Sequence, residues 1–402
     1  MTKKRILMVA LDFPPCKSAG VQRTLKFAEY LKDFGWEPII LTVNEGAHNT
    51  VDHSQTISPE IKHVFRSFAF NASRDFSIKG KYLSIMKVPD RWWTWKFTAV
   101  PLGKKIIQEL QPDVIWSTYP VSTTHNIAYK LSKWSGLPWI ADYRDPLQSR
   151  YDKNAKNYDF VAHRIERKTL LNADKVVFTT KRASTLYQSL YPDVKLSNFH
   201  VIENGYDEGN FASLTQKQNE TEGFFSLLHS GAVYESGRDP QAIFSAISIL
   251  KRKGKISKSN FELVFRGLSS AGPYESVLSS LDITDLVAFK PSITYKDSLE
   301  EMMQASALLI IQGPLFNNQI PGKLFEYIRT NKPILALTPN NGATGLLLKE
   351  VEMSSMGIHS IDLEKALIEL MSLKINGREG IEKYSRYEKT KQLANILNSM
   401  ER

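Results

Sequence analysis

Cysteine is almost absent from this chain of 402 residues. The one cysteine, Cys16, has no partner for an intrachain disulfide, and the eight histidines form no cluster with the spacing of zinc ligands. We therefore expect neither a disulfide framework nor a structural metal. A reducing compartment such as the cytosol suits this composition.

Long apolar runs are also missing. No stretch approaches the roughly 18 to 20 uninterrupted apolar residues of a membrane-spanning helix, so any membrane contact is expected to be peripheral. Residues 1–5 are basic, but the apolar run behind them stops at Asp12 and two prolines. That run is too short for a signal peptide and predicts a first β-strand instead.

Two motifs of metal and cofactor binding are absent as well. No Asp-x-Asp pair follows a predicted strand, where a metal-dependent transferase would hold Mg²⁺ or Mn²⁺. Gly20 stands in the loop after the first strand without the rest of a G-x-G-x-x-G fingerprint. We therefore predict metal-independent chemistry without a cofactor, and a dehydrogenase is disfavoured.

Acidic residues are outnumbered only in the first half of the chain. Residues 1–200 contain 30 Lys and Arg against 18 Asp and Glu, a net charge of +12, whereas residues 201–402 contain 22 against 24, a net charge of −2. A basic excess on one domain indicates an anionic partner, either a nucleic acid or an acidic membrane surface. The alternative is a solvated face that keeps the protein soluble.

Apolar strands alternate with amphipathic helical patterns along the chain, which predicts an α/β fold with parallel sheets. The predicted strands are 5–10, 37–43, 113–117, 138–142 and 175–179 in the first half, and 224–230, 261–266, 286–289, 307–311 and 333–337 in the second. The length suits two domains. The turn-rich residues 203–210, followed by the polar tract 215–222, place the boundary near residue 205.

A predicted helix that begins at Pro321 carries the strongest chemical signal. It lies in the segment NNQIPGKLFEYI, residues 317–328, between two predicted strands. Pro321 suits the first turn of a helix, and Gly322 allows close approach to the backbone. The helix N-terminus and the Lys323 cation suit a diphosphate, and Glu326 can accept two hydrogen bonds from a diol such as ribose. The alternative is an ordinary amphipathic helix with a surface Glu.

Seven segments in a fixed order give the sequence its resemblance to a known family. They are DFPPCKSAGVQRTLKFAEYL, PDVIWSTYP, WIADYRDP, ADKVVFTT, VIENGYD, LLHSGAVYESGRDP and IPGKLFEYI. Over nearly its whole length the chain resembles a family-four (group 1) glycosyltransferase of bacterial surface polysaccharide biosynthesis. The resemblance implies the GT-B fold, in which two Rossmann-like doubly wound parallel-sheet domains face a central cleft.

The resemblance also implies what each part of the chain does. Residues 1–204 would bind the acceptor and residues 205–380 the nucleotide-sugar, while a C-terminal helix in residues 381–402 would cross back to the N-terminal domain. The last Glu of the family's E-x7-E motif, which binds the donor ribose, corresponds to Glu326. The first Glu, which contacts the donor sugar, is replaced here by Asn318. An amide can still bond a hydroxyl, but it removes a negative charge from beside the reacting centre.

Family members hold the donor diphosphate with an Arg and a Lys after the first strand of the second domain. This chain has Gly231 there, Ala232 at the place of the Arg, and Arg238 as the nearest basic residue to the place of the Lys. A guanidinium can bind a diphosphate with two hydrogen bonds and stabilise the leaving nucleotide. We predict that Arg238 and Lys323 do so, although a surface charge is the alternative for Arg238.

Four residues of the first half are candidates for the acceptor side and for catalysis. Gly20 stands where the family often has two glycines, in the loop near donor and acceptor. His125 follows a strand, where the family places a His near the donor sugar, and a buried or capping histidine is the alternative. Asp142 and Asp145 directly follow another strand and are predicted to orient or deprotonate an acceptor hydroxyl. Arg144 between them is expected to pair with one of the two.

Residues 79–97, KGKYLSIMKVPDRWWTWKF, mix cations with aromatic side chains. Such a mixture suits the headgroup region of an anionic membrane. A core role for the tryptophans is the alternative, and nucleic acid is not expected because no nucleic-acid-binding module is recognisable. The residues predicted to contact the membrane are Trp92, Trp93, Trp95, Lys87 and Arg91.

Together with the resemblance, these observations predict a glycosyltransferase, and the resemblance alone implies that it retains the configuration of the sugar. Its donor would be a UDP- or GDP-linked sugar, and its acceptor a lipid-linked glycan at the inner face of the cytoplasmic membrane, in capsule, O-antigen or exopolysaccharide synthesis. Two alternative functions remain: a sugar-nucleotide epimerase or hydrolase on the same fold, and a non-catalytic binding protein. The second is an alternative because Asn318 replaces the first Glu of the family's motif.

Overall fold

The computed structural model describes residues 4–79, 81–147, 150, 160–212, 214, 223–231, 233, 237–268, 270–353, 362–373 and 379–400. The chain divides into two compact units. The first consists of Met1–Asn204 together with Arg386–Arg402, and the second of Gly205–Ser385. The polar tract 215–222 and Ala232 lie outside the described residues.

The first unit is built on a sheet that has seven strands within the described residues, and all of its strand pairs are parallel. In space the strands follow the order β3-β2-β1-β4-β5-β6-β7. Their bounds are β1 Lys4–Val9, β2 Trp36–Val43, β3 His63–Ser67, β4 Val114–Thr118, β5 Trp139–Tyr143, β6 Lys175–Phe178 and β7 Phe199–Val201.

Helices connect these strands. They are α1 Val21–Tyr30, α2 Ala72–Asp75, α3 Trp95–Leu110, α4 Ser122–Ser135, α5 Phe160–Asn172 and α6 Lys181–Leu190. The last helix of the chain, Arg386–Asn398, also belongs to the first unit and is labelled α14 below.

Both faces of this sheet are buried, as its strand sequences require. Leu7 and Val9 of β1 belong to one apolar cluster, whereas Ile6 and Met8 belong to another on the opposite face. Successive side chains of a strand point to opposite faces, so a strand covered on both sides must be apolar throughout. Leu393 of α14 lies in the second cluster.

The second unit repeats the plan on a smaller scale. Its sheet has five parallel strands within the described residues, in the order β10-β9-β8-β11-β12. The strands are β8 Phe225–Ser230, β9 Phe261–Arg266, β10 Val287–Lys290, β11 Ala307–Ile311 and β12 Ile334–Leu337. The helices are α7 Glu208–Ala212, α8 Gln241–Arg252, α9 Glu275–Ser280, α10 Tyr295–Gln304, α11 Gly322–Arg329, α12 Ala343–Glu350 and α13 Leu363–Ser372.

The predicted fold class is confirmed. Each strand predicted from an apolar run is present, with bounds that agree to within one residue. Two strands, β3 and β7, were not predicted. They lie at the two edges of the first sheet and are mostly half-buried, so their sequences HVFRS and FHV lack the apolar run that marks a strand covered on both faces.

Candidate functional site

The strand order of each sheet indicates where a ligand binds. In the second unit, chain connections run outward in opposite directions from the neighbouring strands β8 and β11. Such a switch point leaves an opening at the carboxyl ends of the two strands, and doubly wound sheets bind ligands there. Ser230 ends β8 and Gly231 follows it, and the segment from Gln312 to Pro321 lies between β11 and α11.

Gly231 stands at the end of β8 with a backbone φ of +132°, a conformation that glycine adopts readily and other residues rarely do. A Cβ atom at this position would collide with Nζ of Lys323. The glycine therefore makes room for the lysine beside the end of the strand. This contact brings together two of the predicted donor-binding residues.

Helix α11 holds Lys323 at this place. Leu324, Phe325, Tyr327 and Ile328 are fully buried and fix the helix against the core of the unit. Ser230 adds a polar tie, since its backbone N–H donates to the Tyr327 hydroxyl at 2.8 Å. The first turn of α11 therefore lies beside the end of β8.

Lys323 and Arg238 form a pair of neighbouring cations. Nζ of Lys323 donates a hydrogen bond to the Ser230 carbonyl oxygen, and the Arg238 guanidinium lies over the Phe316 ring, 5.2 Å from its centroid. Burial, with a further contribution from the Arg238 charge, lowers the pKa of Lys323 to about 7. Two neighbouring cations repel each other, and a bound anion such as a diphosphate would offset that repulsion.

Glu326 lies one turn further along α11 and is buried. The Tyr295 hydroxyl donates to its Oε1 at 2.6 Å, which orients the carboxylate. Tyr295 begins α10, where Thr294 caps the helix by accepting a hydrogen bond from the Asp297 N–H. No local sequence pattern predicts this contact, because Tyr295 and Glu326 are 31 residues apart.

Gln312 organises the segment that contains Asn318. Its buried Nε2 donates to the carbonyl oxygens of Phe316, at 3.2 Å, and Gln319, at 2.8 Å, and to Oγ1 of Thr344 at 2.9 Å. Asn318 is half-buried between the two carbonyls that Gln312 binds. Gln312 was not predicted as a site residue; its only sequence signal is a polar side chain directly after an apolar strand.

Gly322 opens α11 without a structural reason to be glycine. A Cβ atom there would meet nothing within 4 Å, and the backbone is not left-handed. Packing and conformation therefore tolerate a side chain at this position. Close approach of a ligand to the helix N-terminus remains the predicted reason for the glycine.

In the first unit, Gly20 packs against a buried ion pair. NH2 of Arg144 donates to Oδ2 of Asp12 at 2.6 Å, and a Cβ atom on Gly20 would overlap both side chains. Arg144 therefore pairs with Asp12, rather than with Asp142 or Asp145 as expected. Gly20 has a packing role in the loop after β1.

The prediction that Asp142 contacts the acceptor is wrong. Its side chain is fully buried at the end of β5. Arg23 donates to both of its oxygens, at 3.0 and 2.6 Å, and the Thr118 hydroxyl donates to Oδ2 at 2.8 Å. Arg23 also donates to the carbonyls of Ile202 and Glu203. Asp142 is thus the centre of a buried network, and Asp145, which is half-buried, stays the candidate of the pair.

His125 is also placed differently from its predicted position near the donor sugar. Its ring is buried, lies 4.6 Å from the Tyr143 ring, and has Nδ1 2.8 Å from the Ser117 hydroxyl oxygen. That oxygen accepts a hydrogen bond from Trp139 Nε1, so its own proton can be donated to His125. Burial lowers the pKa of His125 to about 3. These surroundings favour the core histidine that was the alternative.

The tryptophans predicted to contact a membrane hold the segment to the protein instead. Trp95 is fully buried and donates to Ser67 Oγ at 2.9 Å, which contradicts its predicted membrane contact. Trp92 donates to the Ala47 carbonyl at 2.9 Å and packs on the core. Trp93 is half-buried, whereas Lys87 and Arg91 are exposed as expected.

No helix among the described residues is long and apolar enough to cross a membrane. In the same part of the chain, no group of three or more His, Cys, Asp or Glu side chains is arranged to hold a metal ion.

Sequence comparison identifies the first unit. Residues 20–209 match the model of Glycosyltransferase Family 4. Over these residues the chain is similar to Glycosyltransferase Family 4. The matched residues include Gly20, the network around Asp142, and Asp145. All residues predicted to lie on the acceptor side are therefore within the matched part of the chain. Comparison with curated protein sequences gives no match.

Solved structures extend the comparison to nearly the whole chain. Anabaena HepE, in complex with UDP and glucose, matches with a TM-score of 0.64 and 12% identity over 99% of this chain and 100% of its own. Sucrose-phosphate synthase from Thermosynechococcus elongatus matches with a TM-score of 0.67 and 12% identity over 99% of both chains. A UDP-N-acetylglucosamine 2-epimerase matches with a TM-score of 0.56 and 12% identity over 99% of this chain and 96% of its own. The predicted GT-B fold is thereby confirmed.

Proposed function

We propose that this chain is a glycosyltransferase whose second unit binds a nucleoside-diphosphate sugar at the carboxyl ends of β8 and β11. The observation that carries the proposal is the pair of cations, Lys323 and Arg238, beside the N-terminus of α11. A diphosphate would replace the Ser230 carbonyl as the main partner of Lys323. The solved HepE complex, which holds UDP and glucose, supports UDP over GDP as the first donor nucleotide to test.

The proposed reaction needs little from the protein beyond position and charge. The acceptor oxygen forms a bond to the anomeric carbon, the bond from that carbon to the phosphate oxygen breaks, and the electron pair leaves with the nucleoside diphosphate. Lys323, Arg238 and the helix N-terminus stabilise the charge that develops on the leaving group, without a metal. The acceptor hydroxyl loses its proton, for which Asp145 is the candidate base. Retention of configuration is part of the proposal and rests on the family.

Glu326 is proposed to bind the ribose diol of the donor, held in place by Tyr295. Asn318 is proposed to contact the donor sugar with a neutral amide.

The acceptor is proposed to be a lipid-linked glycan of a cell-surface polysaccharide, reached at the inner face of the cytoplasmic membrane, because the cations of the chain are concentrated in residues 1–200.

Calorimetry with UDP, GDP and 2′-deoxy-UDP tests the donor site. Lys323→Ala should weaken UDP binding by roughly 10- to 150-fold, since a charged hydrogen bond contributes about 1.5–3 kcal/mol. Glu326→Ala should remove the preference for UDP over 2′-deoxy-UDP. Lys349→Ala, an exposed lysine on α12, is the matched control. Unchanged UDP affinity in both site variants would refute the donor-site assignment.

One alternative function has a specific observation in its favour. A UDP-N-acetylglucosamine 2-epimerase shares the fold over nearly the whole chain. Incubation with UDP-sugars, with and without lipid-linked and soluble glycan acceptors, separates the two activities by NMR of the products. A transferase releases UDP and extends the acceptor, whereas an epimerase changes the sugar configuration without an acceptor.

A further inference from the structure

Residues 68–97 of the first unit, called the 68–97 face below, expose large apolar side chains to solvent. Ile78 is 78% exposed, Leu83 64%, Ile85 59% and Phe97 63%. The short 3₁₀ turn Ser84–Lys87 has no buried residue. Exposed apolar side chains that occur singly need no explanation, but a contiguous set marks a surface that binds something apolar.

A hydrogen bond and a ring contact join the parts of the segment that carry these side chains. Trp93 Nε1 donates to the Met86 carbonyl at 2.7 Å, which ties the 3₁₀ turn to the start of α3. The rings of Trp93 and Phe97 lie 6.1 Å apart, edge to face. Thr98, the neighbour of Phe97, donates to the Phe68 carbonyl at 2.5 Å.

The face is also fixed to the rest of the unit. Trp92 and Trp95 hold it through hydrogen bonds to Ala47 and Ser67. Asp90 accepts hydrogen bonds from the Thr123 N–H and hydroxyl, each at 2.8 Å, and so joins the face to the first turn of α4. The exposed apolar side chains are therefore presented by an anchored segment, with the indole rings on its inner side.

Cations are interleaved with these apolar groups. Residues 76–97 contain four lysines, Arg91 and a single carboxylate, Asp90. Asp90 is bound to Thr123, and its single negative charge leaves residues 76–97 with a net charge of +4. Lys96 lies 4.8 Å from the Phe97 ring centroid, and Lys87 lies 5.8 Å from that of Tyr82.

The charge decides between occupants of this face. A second copy docked through the same face would bring another basic surface against it, because residues 1–200 carry a net charge of +12. An anionic bilayer offers hydrocarbon for Ile78, Leu83 and Ile85 and lipid phosphates for the lysines. It matches both properties of the face at once.

We propose that the 68–97 face docks this protein on an anionic membrane, with Ile78, Leu83 and Ile85 inserted at the boundary between headgroups and acyl chains. Docking rests on the geometry and charge of the face. Only its use, delivery of a lipid-linked acceptor, rests on the proposed function. The exposed aliphatic side chains, and not the tryptophans, are the membrane anchors.

Vesicle co-sedimentation of the full chain tests the proposal. The probes are vesicles of phosphatidylcholine alone and of phosphatidylcholine with about 30% phosphatidylglycerol, at low and high salt. Leu83→Ser with Ile85→Ser should weaken binding to anionic vesicles at least tenfold, whereas Leu171→Ser with Leu196→Ser, an exposed pair elsewhere in the unit, should not. Lys79, Lys81 and Lys87 changed together to Gln should lose about fivefold per charge. Lys130, Lys181 and Lys195 changed to Gln are the charge-matched control.

Equal binding to neutral and anionic vesicles, or equal loss in the two serine pairs, would overturn the proposal. Sedimentation velocity provides another refutation: a dimer that the Leu83→Ser, Ile85→Ser variant dissociates would assign the face to self-association. UDP binding is measured on the same variants and should be unchanged. Docking without UDP binding would refute the proposed function alone, and UDP binding without docking would refute only this inference.

Discussion

Arg23 of α1 and Asp142 of β5 form a buried, two-pronged ion pair, with Nε to Oδ2 at 3.0 Å and NH2 to Oδ1 at 2.6 Å. Removing one partner of such a pair strands a charge in the core and typically costs about 3–5 kcal/mol. We therefore expect Asp142→Ala and Arg23→Met each to lower the stability of the first unit by about this amount. The double variant Arg23→Met, Asp142→Leu should lose less than the sum of the single changes.

Tryptophan fluorescence isolates this effect. All seven tryptophans lie between Trp36 and Trp139, so their emission during urea unfolding follows the first unit alone. A variant of Asp142 that unfolds at the wild-type urea concentration but has lost transfer activity would restore the acceptor-side role and contradict the structural one.

Gly20→Ala is expected to destabilise the first unit, because its Cβ would overlap Arg144 and Asp12. Overpacking of this kind costs about 1–3 kcal/mol. Gly46→Ala is the matched control, since a Cβ there meets nothing within 4 Å and the backbone is not left-handed. Similar urea midpoints for the two alanine variants would show that the loop after β1 shifts freely.

Donor binding should depend on pH through Lys323. Its pKa is about 7 in the unliganded protein, and a bound diphosphate raises it, so binding takes up a proton between the two values. Affinity for UDP-glucose should be constant below pH 7 and fall up to about tenfold per pH unit above it. Calorimetry in buffers of different ionisation enthalpy measures the proton uptake. Lys323→Arg should bind without this dependence; a wild type with no uptake at pH 8 would contradict the assignment.

His125 should remain neutral across the physiological range, because burial lowers its pKa to about 3. In imidazole-labelled protein, its ¹⁵N resonances, assigned with His125→Gln, should not shift between pH 5 and 8. Titration in that range would place the ring in contact with solvent or with a charged partner, and would revive a role near the substrate.

Tyr295→Phe is expected to raise the Kd for UDP about 2- to 10-fold, since it removes one hydrogen bond from Glu326. As a positioning residue, Tyr295 should act only through Glu326. The change should therefore have no further effect in a Glu326→Ala background, and an additive effect would contradict the coupling.

The fold was predictable because parallel strands buried on both faces have nearly continuous apolar sequences. Leu7, Val9, Ile6 and Met8 form a continuous apolar run whose two faces enter two cores. The edge strands β3 and β7 were missed for the same reason, since a half-buried strand can keep polar residues such as His63 and Arg66. Strands of this kind are stabilised by hydrogen bonds to the neighbouring strand, and the local sequence carries no information about that neighbour.

The candidate site was predictable where its parts are close in sequence. Lys323 and Glu326 lie on one helix, and their placement follows from its period. The role of Asp142 was not predictable, because DYRDP after a strand has the composition of a functional turn while its true partner, Arg23, is 119 residues away. The tryptophans posed a similar problem: an indole suits a core and an interface equally, and only the Ser67 contact of Trp95 decides between them.

Helix α14 completes the first unit from the far end of the chain. It packs against α1, and Trp36 Nε1 donates to Asn398 at 3.0 Å. During synthesis, residues 205–385 must leave the ribosome before α14 does, a delay of roughly ten seconds or more at about 5–20 residues per second. Throughout that interval Tyr30 and Phe34 lack the contact with Tyr387 of α14 that covers them in the folded protein. The first unit begins to be synthesised before the second but can complete its fold only after it. The rate of translation therefore sets how long the surface around these two side chains stays exposed to a chaperone.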